Sequence, residues 1–136
     1  MIGSPRTSII WAICAGWLLL PVACDDEPTS PGIQPEIINV ADNFQYQVSN
    51  VRNYTGTASY TWQNTGIQAT VNQATSVTAG TVFLVLLDAD GVEVYSRSLA
   101  ENGTFHTATG VAGAWTIRVS YTGASATVNF RADKTT

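Results

Sequence analysis

Cys24, the acidic turn Asp88-Ala-Asp-Gly91, His106, and the tyrosines Tyr54 and Tyr95 are the side chains best placed to do more than build a fold. His106 is the sole histidine, and as a general base it would need a nucleophile and an orienting acid beside it. In TFHTATG it stands opposite Phe105, on the solvent side by alternation, and spacing singles out no Ser or Asp as its partner. Asp88 and Asp90 could offer two carboxylates to Ca²⁺, but a calcium loop gathers about six to eight oxygens and the D-x-[DN]-x-[DN]-G spacing is absent. A hairpin turn accounts for both residues, so they are weak metal candidates. Trp62, Trp115, Tyr46, Tyr54, Tyr60, Tyr95 and Tyr121 could form a stacking surface for sugars, which offer apolar faces with polar rims. Trp62 and Trp115, however, fall on apolar strand faces and are expected in the core. Tyr54, in the turn RNYTG, and Tyr95, opposite Val94, are expected to face solvent and are the candidate ligand contacts. With no Gly-rich phosphate loop, Cys/His cluster or Ser-centred nucleophile elbow in the sequence, no catalytic residue is assigned. The chain is read as not an enzyme, and no cofactor is expected.

The elements that must position these residues read as strands. In NFQYQVSNV, Phe44, Tyr46 and Val48 alternate with Gln45, Gln47 and Ser49, as a half-buried strand requires. The same period sets Tyr60 and Trp62 against Ser59, Thr61 and Gln63, and Ile67, Ala69 and Val71 against Gln68, Thr70 and Asn72. It also aligns Trp115, Ile117, Val119 and Tyr121, and then Val128 with Phe130. TVFLVLLD (81–88) is apolar almost throughout, which predicts a central strand covered on both faces or flanked by long neighbours. NTG (64–66), DADG, ENGT (101–104), VAGA (111–114) and TGAS (122–125) carry turn chemistry, with Gly91 free to take positive φ. About eight strands at regular spacing predict an all-β, antiparallel, jelly-roll-like β-sandwich over residues 42–133.

The N-terminal third is of another kind. Residues 1–23 combine Arg6, a short apolar run from Ile9 to Leu20, and a small-residue exit at Val22 and Ala23, the layout of a secretory signal peptide. That run is about 18 Å long as a helix, too short for a hydrocarbon layer of about 30 Å. The segment resembles the signal peptides of bacterial lipoproteins, whose lipobox ends in small residues and a cysteine. Val22, Ala23 and Cys24 match its last three positions, while Pro21 stands where an aliphatic residue is usual and Leu20 comes one place early. The resemblance implies cleavage before Cys24, a diacylglyceryl group on its thiol, and a new N-terminus open to acylation. Two or three acyl chains anchor stably where one is marginal. The alternative is an ordinary signal peptide with a chance cysteine. Cys14 is the only other cysteine and lies within the removed segment, so the mature chain has no intramolecular disulfide. The run DDEPTSPGIQP (25–35) holds three prolines and three acids, a composition that favours extended, hydrated chain. Residues 24–41 are therefore read as a lipidated cysteine and flexible tether.

Composition bounds the function. The net charge of −4, with only six scattered Lys and Arg among 136 residues, excludes nucleic acid as a partner, since phosphate binding needs clustered cations. The opening DNFQYQV, the hairpin FLVLLDADGVEVYS and the closing GVAGAWTIRVSYTGASATVNF resemble the bacterial pre-peptidase C-terminal type of β-sandwich and its jelly-roll relatives. That resemblance implies a noncatalytic accessory or binding module of an exported protein. The expected function is a lipid-anchored cell-envelope lipoprotein, periplasmic or at the cell surface, acting as a structural or protein-interaction module. Its partners would be the membrane, through the anchor, and envelope proteins. The alternative is a carbohydrate-binding domain at the cell surface, and enzymatic activity is a distant third.

Overall fold

Alternation of apolar and polar residues carries through into the computed structural model, which describes residues 33–136. The signal peptide and Cys24 lie outside those residues. Seven antiparallel strands form one continuous sheet: β1 (Glu36–Val40), β2 (Asn43–Asn64), β3 (Ala69–Gln73), β4 (Ser76–Leu87), β5 (Glu93–Ser98), β6 (Gly103–His106) and β7 (Gly113–Lys134).

At 22 residues each, β2 and β7 would extend about 70 Å if straight. They fold back on themselves instead. The rings of Phe44 and Tyr60, at opposite ends of β2, lie 5.7 Å apart, and Tyr46 lies 6.0 Å from Tyr60. The Asp42 amide donates to the Gln63 carbonyl at 2.8 Å. β7 follows the same course, pairing Gly113 with Asn64 and Asp133 with Asn43. β3 and β4 run end to end along β7, β3 against residues 130–134 and β4 against residues 116–127. At the break between them the Thr75 hydroxyl donates to the Asn129 carbonyl and accepts from its amide. Three bent ribbons thus make both layers of a sandwich. One layer holds β1, the first half of β2, the second half of β7, β3 and β6. The other holds the remaining halves of β2 and β7 with β4 and β5.

Residues with positive φ make the bends: Asn50 at 58° and Asn53 at 46° in β2, Gly80 at 69° in β4, and Gly123 at 51° in β7. Register shifts mark the same places, between Val48 and Gly56 and between Val77 and Thr81, as bulges do. RNYTG and TGAS, expected as turns between strands, are these mid-strand bends, which is why only the six strands β2–β7 stand beyond residue 42, where about eight were expected. A bulge and a hairpin ask for the same residues, those that tolerate the left-handed region. β1 lies within the stretch expected as tether, paired with β2 from Glu36 opposite Gln47 to Val40 opposite Asn43. The sheet therefore begins before residue 42.

The inner faces carry the core. Trp62 and Trp115 are fully buried, paired across β2 and β7, and meet edge to face at 6.0 Å. Each indole N–H reaches a carbonyl, that of Val40 and that of Val111 respectively, so burial leaves neither donor unpaired. Val82, Leu84 and Leu86 of β4 are fully buried while Phe83 is 43% exposed. β4 is central in its layer, between β7 and β5, but covered on its inner face alone. Ile67, expected on an apolar face, lies before β3 and is exposed.

Candidate functional site

Asp88 directly follows β4, with its side chain buried. One oxygen accepts from the amides of Asp90 at 3.0 Å and Val92 at 2.9 Å, and the other from the amide of Val111 at 3.0 Å. These bonds, that from Val92 foremost, hold the carboxyl below the usual carboxylate range. The side chain is buried and joins two loops, so the oxygens that a cation would need are occupied by backbone N–H groups. Asp90 is exposed at the tip of the turn. Among the described residues no three His, Cys, Asp or Glu side chains converge.

His106 is exposed on β6, its Nδ1 3.2 Å from the Thr70 hydroxyl. Asp133 flanks Thr70 on the other side, but its carboxylate engages Asn43 and Arg131 rather than the imidazole. Nucleophile, base and orienting acid are thus not brought into one relay.

The two tyrosines do not form an exposed pair. Tyr54, at the β2 bend, is half-buried, edge-on to the Tyr121 ring at 5.2 Å. Tyr95, expected on the surface, is 7% exposed. β5 turns it inward opposite Leu86, and its hydroxyl donates to Oε1 of the buried Gln73 at 2.6 Å. Gln73 in turn donates to the carbonyls of Ser98 and Glu101, which ties β3 of one layer to β5 of the other. Burial pushes the Tyr95 hydroxyl up to about 12. Nearby, the Arg97 guanidinium lies over the Phe105 ring, 3.9 Å from its centroid, and pairs with Glu101 at 2.8 Å. Tyr95 is thus a cross-layer strut, placed there by two successive buried residues, Val94 and Tyr95, that break the strict alternation.

The surfaces left open are the outer faces of the two layers. On the layer of β4, Phe83, Val85 and Leu87 form an apolar stripe; Phe83 is flanked by Ser98 and Ser120, and Val85 by Ser96 and Arg118. On the other layer the outer face is amide-rich. Gln45, Arg131 and Asn72 stand in one row, and Gln47 and Asn129 in the next, with Ile38 and Glu36 closing the two rows at β1. These residues, with Ala74, line a depression of about 480 Å³. Sequence reading passed over it because each amide, taken singly, is only the polar member of an alternating pair. The signal lies in their recurrence across QYQ, VNQ and VNF.

No family model and no curated protein matches the chain. Among solved structures it is similar to that of infectious bursal disease virus Gt strain, at 16% identity and a TM-score of 0.36, over 82% of this chain and 33% of that one. It is also similar to a glycoside hydrolase family 43 arabinoxylan arabinofuranohydrolase from Bacillus subtilis, solved in complex with cellotetraose, at 14% identity and a TM-score of 0.34, over 72% of this chain and 20% of that one. A third is the capsular polysaccharide assembling protein CapF from Staphylococcus aureus, at 8% identity and a TM-score of 0.30, over 78% of this chain and 30% of that one. The chain spans a third or less of the length of each.

Proposed function

We propose that this chain is a noncatalytic interaction module, held at a bacterial membrane by lipid on Cys24, that docks an envelope protein on the outer face of its β4 layer. The lipobox-like run ending in Cys24 and the acidic, proline-rich stretch after it support the anchoring. One observation carries the docking: Phe83, 43% exposed, continues through Val85 and Leu87 as an apolar stripe along a central strand, where water-facing positions of a closed sandwich are ordinarily polar. The groups that sequence marks for chemistry support the noncatalytic reading, since Asp88 holds loops together and Tyr95 braces the layers.

A photo-crosslinking residue placed at position 83 of the anchored chain, in cells, tests the proposal. One discrete protein adduct is expected from position 83 and none from Ser59, which lies on the same outer face two strands away. No adduct at position 83, or the same adducts from both positions, refutes it.

A further inference from the structure

We infer that the amide-lined depression on the opposite outer face binds a neutral polyhydroxylated ligand, a short stretch of glycan chain. The inference stands apart from protein docking at Phe83 and uses the other layer.

The chemistry of the lining carries it. A sugar hydroxyl both donates and accepts, and a carboxamide sets a donor and an acceptor side by side, so one Asn or Gln can engage two neighbouring hydroxyls. Gln47 and Asn129 face each other across β2 and β7, both exposed, and Gln45 and Asn72 flank Arg131 in the adjacent row. Same-face neighbours along a strand lie about 7 Å apart and strands about 4.8 Å apart, so the sheet holds these amides in a fixed lattice rather than on mobile loops. Fixed polar groups lining a concave surface are what orient a small ligand. The amides of Gln45 and Asn72 are themselves steadied, by Asn43 and by Thr104.

Charge and shape narrow the ligand. Glu36 and Arg131 oppose each other in sign across the depression, so neither an anion nor a cation is favoured as a whole. Arg131 is further neutralised by Asp133 at 3.0 Å. Ile38, 51% exposed, gives one wall an apolar surface, suited to the C–H face of a pyranose ring. Ala74, with no side chain beyond its Cβ, leaves the floor open beside Asn72 and Asn129. Thr or Ser suffices to keep a single strand position wet, as at Thr57, Ser59, Thr116 and Ser120 beside the apolar stripe of the other layer. Asn is disfavoured in strands, yet Asn72 and Asn129 both stand in strand interiors at the depression.

The test is titration of the full chain in detergent with the tetrasaccharides of glucose and of N-acetylglucosamine, and with tetragalacturonate as the acidic comparison, followed by calorimetry and by NMR of side-chain amides. At least one neutral tetrasaccharide is expected to bind and to shift the Gln47 and Asn129 amide signals. The double variant Gln47→Ala, Asn129→Ala should weaken binding about tenfold or more with an unchanged melting temperature. Phe83→Ser should leave it intact, which separates this site from the protein-docking face. No binding by either neutral probe at millimolar concentration overturns the inference. So do shifts confined to other faces, unaltered affinity in the double variant, or binding restricted to an acidic oligosaccharide such as tetragalacturonate.

Discussion

The bent ribbons place their sharpest demand on Gly80, and replacing it with alanine measures that demand. Its φ of 69° lies in the left-handed region, where a Cβ costs about 1–2 kcal/mol. A methyl there would also run into the carbonyl oxygens of Gly123 and Thr122, backbone atoms that cannot swing aside, and forced overpacking adds about 1–3 kcal/mol. Against this, alanine restricts the unfolded chain and returns about 0.4–1 kcal/mol. Gly80→Ala should therefore destabilise by about 1–4 kcal/mol, toward the upper end because the obstructing atoms are main chain. Gly91 and Gly123 share the positive φ, at 80° and 51°, but have open space where a methyl would go. Their alanine variants should lose only about 0–1.5 kcal/mol. Urea unfolding of the three variants alongside the parent, read as midpoint shifts at constant slope, gives the comparison. Equal losses for all three would mean that β4 and β7 do not approach closely at Gly80, and the account of the bend would be wrong.

Trp115→Ala should cost about 3–5 kcal/mol in the same assay, the range for removing a large buried aromatic, and a loss below about 1 kcal/mol would contradict its place between the layers. Tyr95→Phe strands the buried Gln73 oxygen and should cost about 1–3 kcal/mol, whereas a neutral result would remove the strut. Tyr95 and Tyr121 are both pushed up to about 12 by burial. Their contribution to stability is therefore complete below the unfolded tyrosine value of about 10 and is lost as pH rises toward about 12. Alkaline titration of the melting temperature should show that fall, and Tyr95→Phe should make it shallower. Cys24→Ser should abolish incorporation of labelled palmitate and release the chain from membranes; equal labelling of variant and parent would end the anchoring proposal.

Much of the β-sandwich is legible because burial of one strand face imposes period two. Phe44, Tyr46 and Val48, and Trp115, Ile117, Val119 and Tyr121, are read from alternation and are all buried. The course of the strands is less legible. Asn53, Gly80 and Gly123 announce a change of direction, but left-handed residues serve a bulge within a strand as well as a turn between strands, and only pairing across β2, β4 and β7 distinguishes them. β1 escapes because EIINV does not alternate: the edge position leaves Ile38 and Val40 exposed. Tyr95 misleads for a related reason, since at the margin of a sandwich Val94 and Tyr95 are both covered. The amide-lined depression draws on β1, β2, β3 and β7 at once, and no local pattern reports a surface assembled from that many strands.

The position of β1 also decides how the domain meets mechanical load. Any pull on the chain ahead of Gln34 enters through this short edge strand, paired with β2 alone and held at its last residues also by the bond from Asn39 to Thr61 and that from Trp62 to Val40. Force applied at Glu36 perpendicular to the strand would open the ladder one rung at a time, releasing about 17 Å of slack before it reached the ribbons that cross both layers. Under the proposed anchoring at Cys24, such a strand is expected to act as a fuse that yields first and refastens when tension drops, while the folded-over ribbons behind it stay closed.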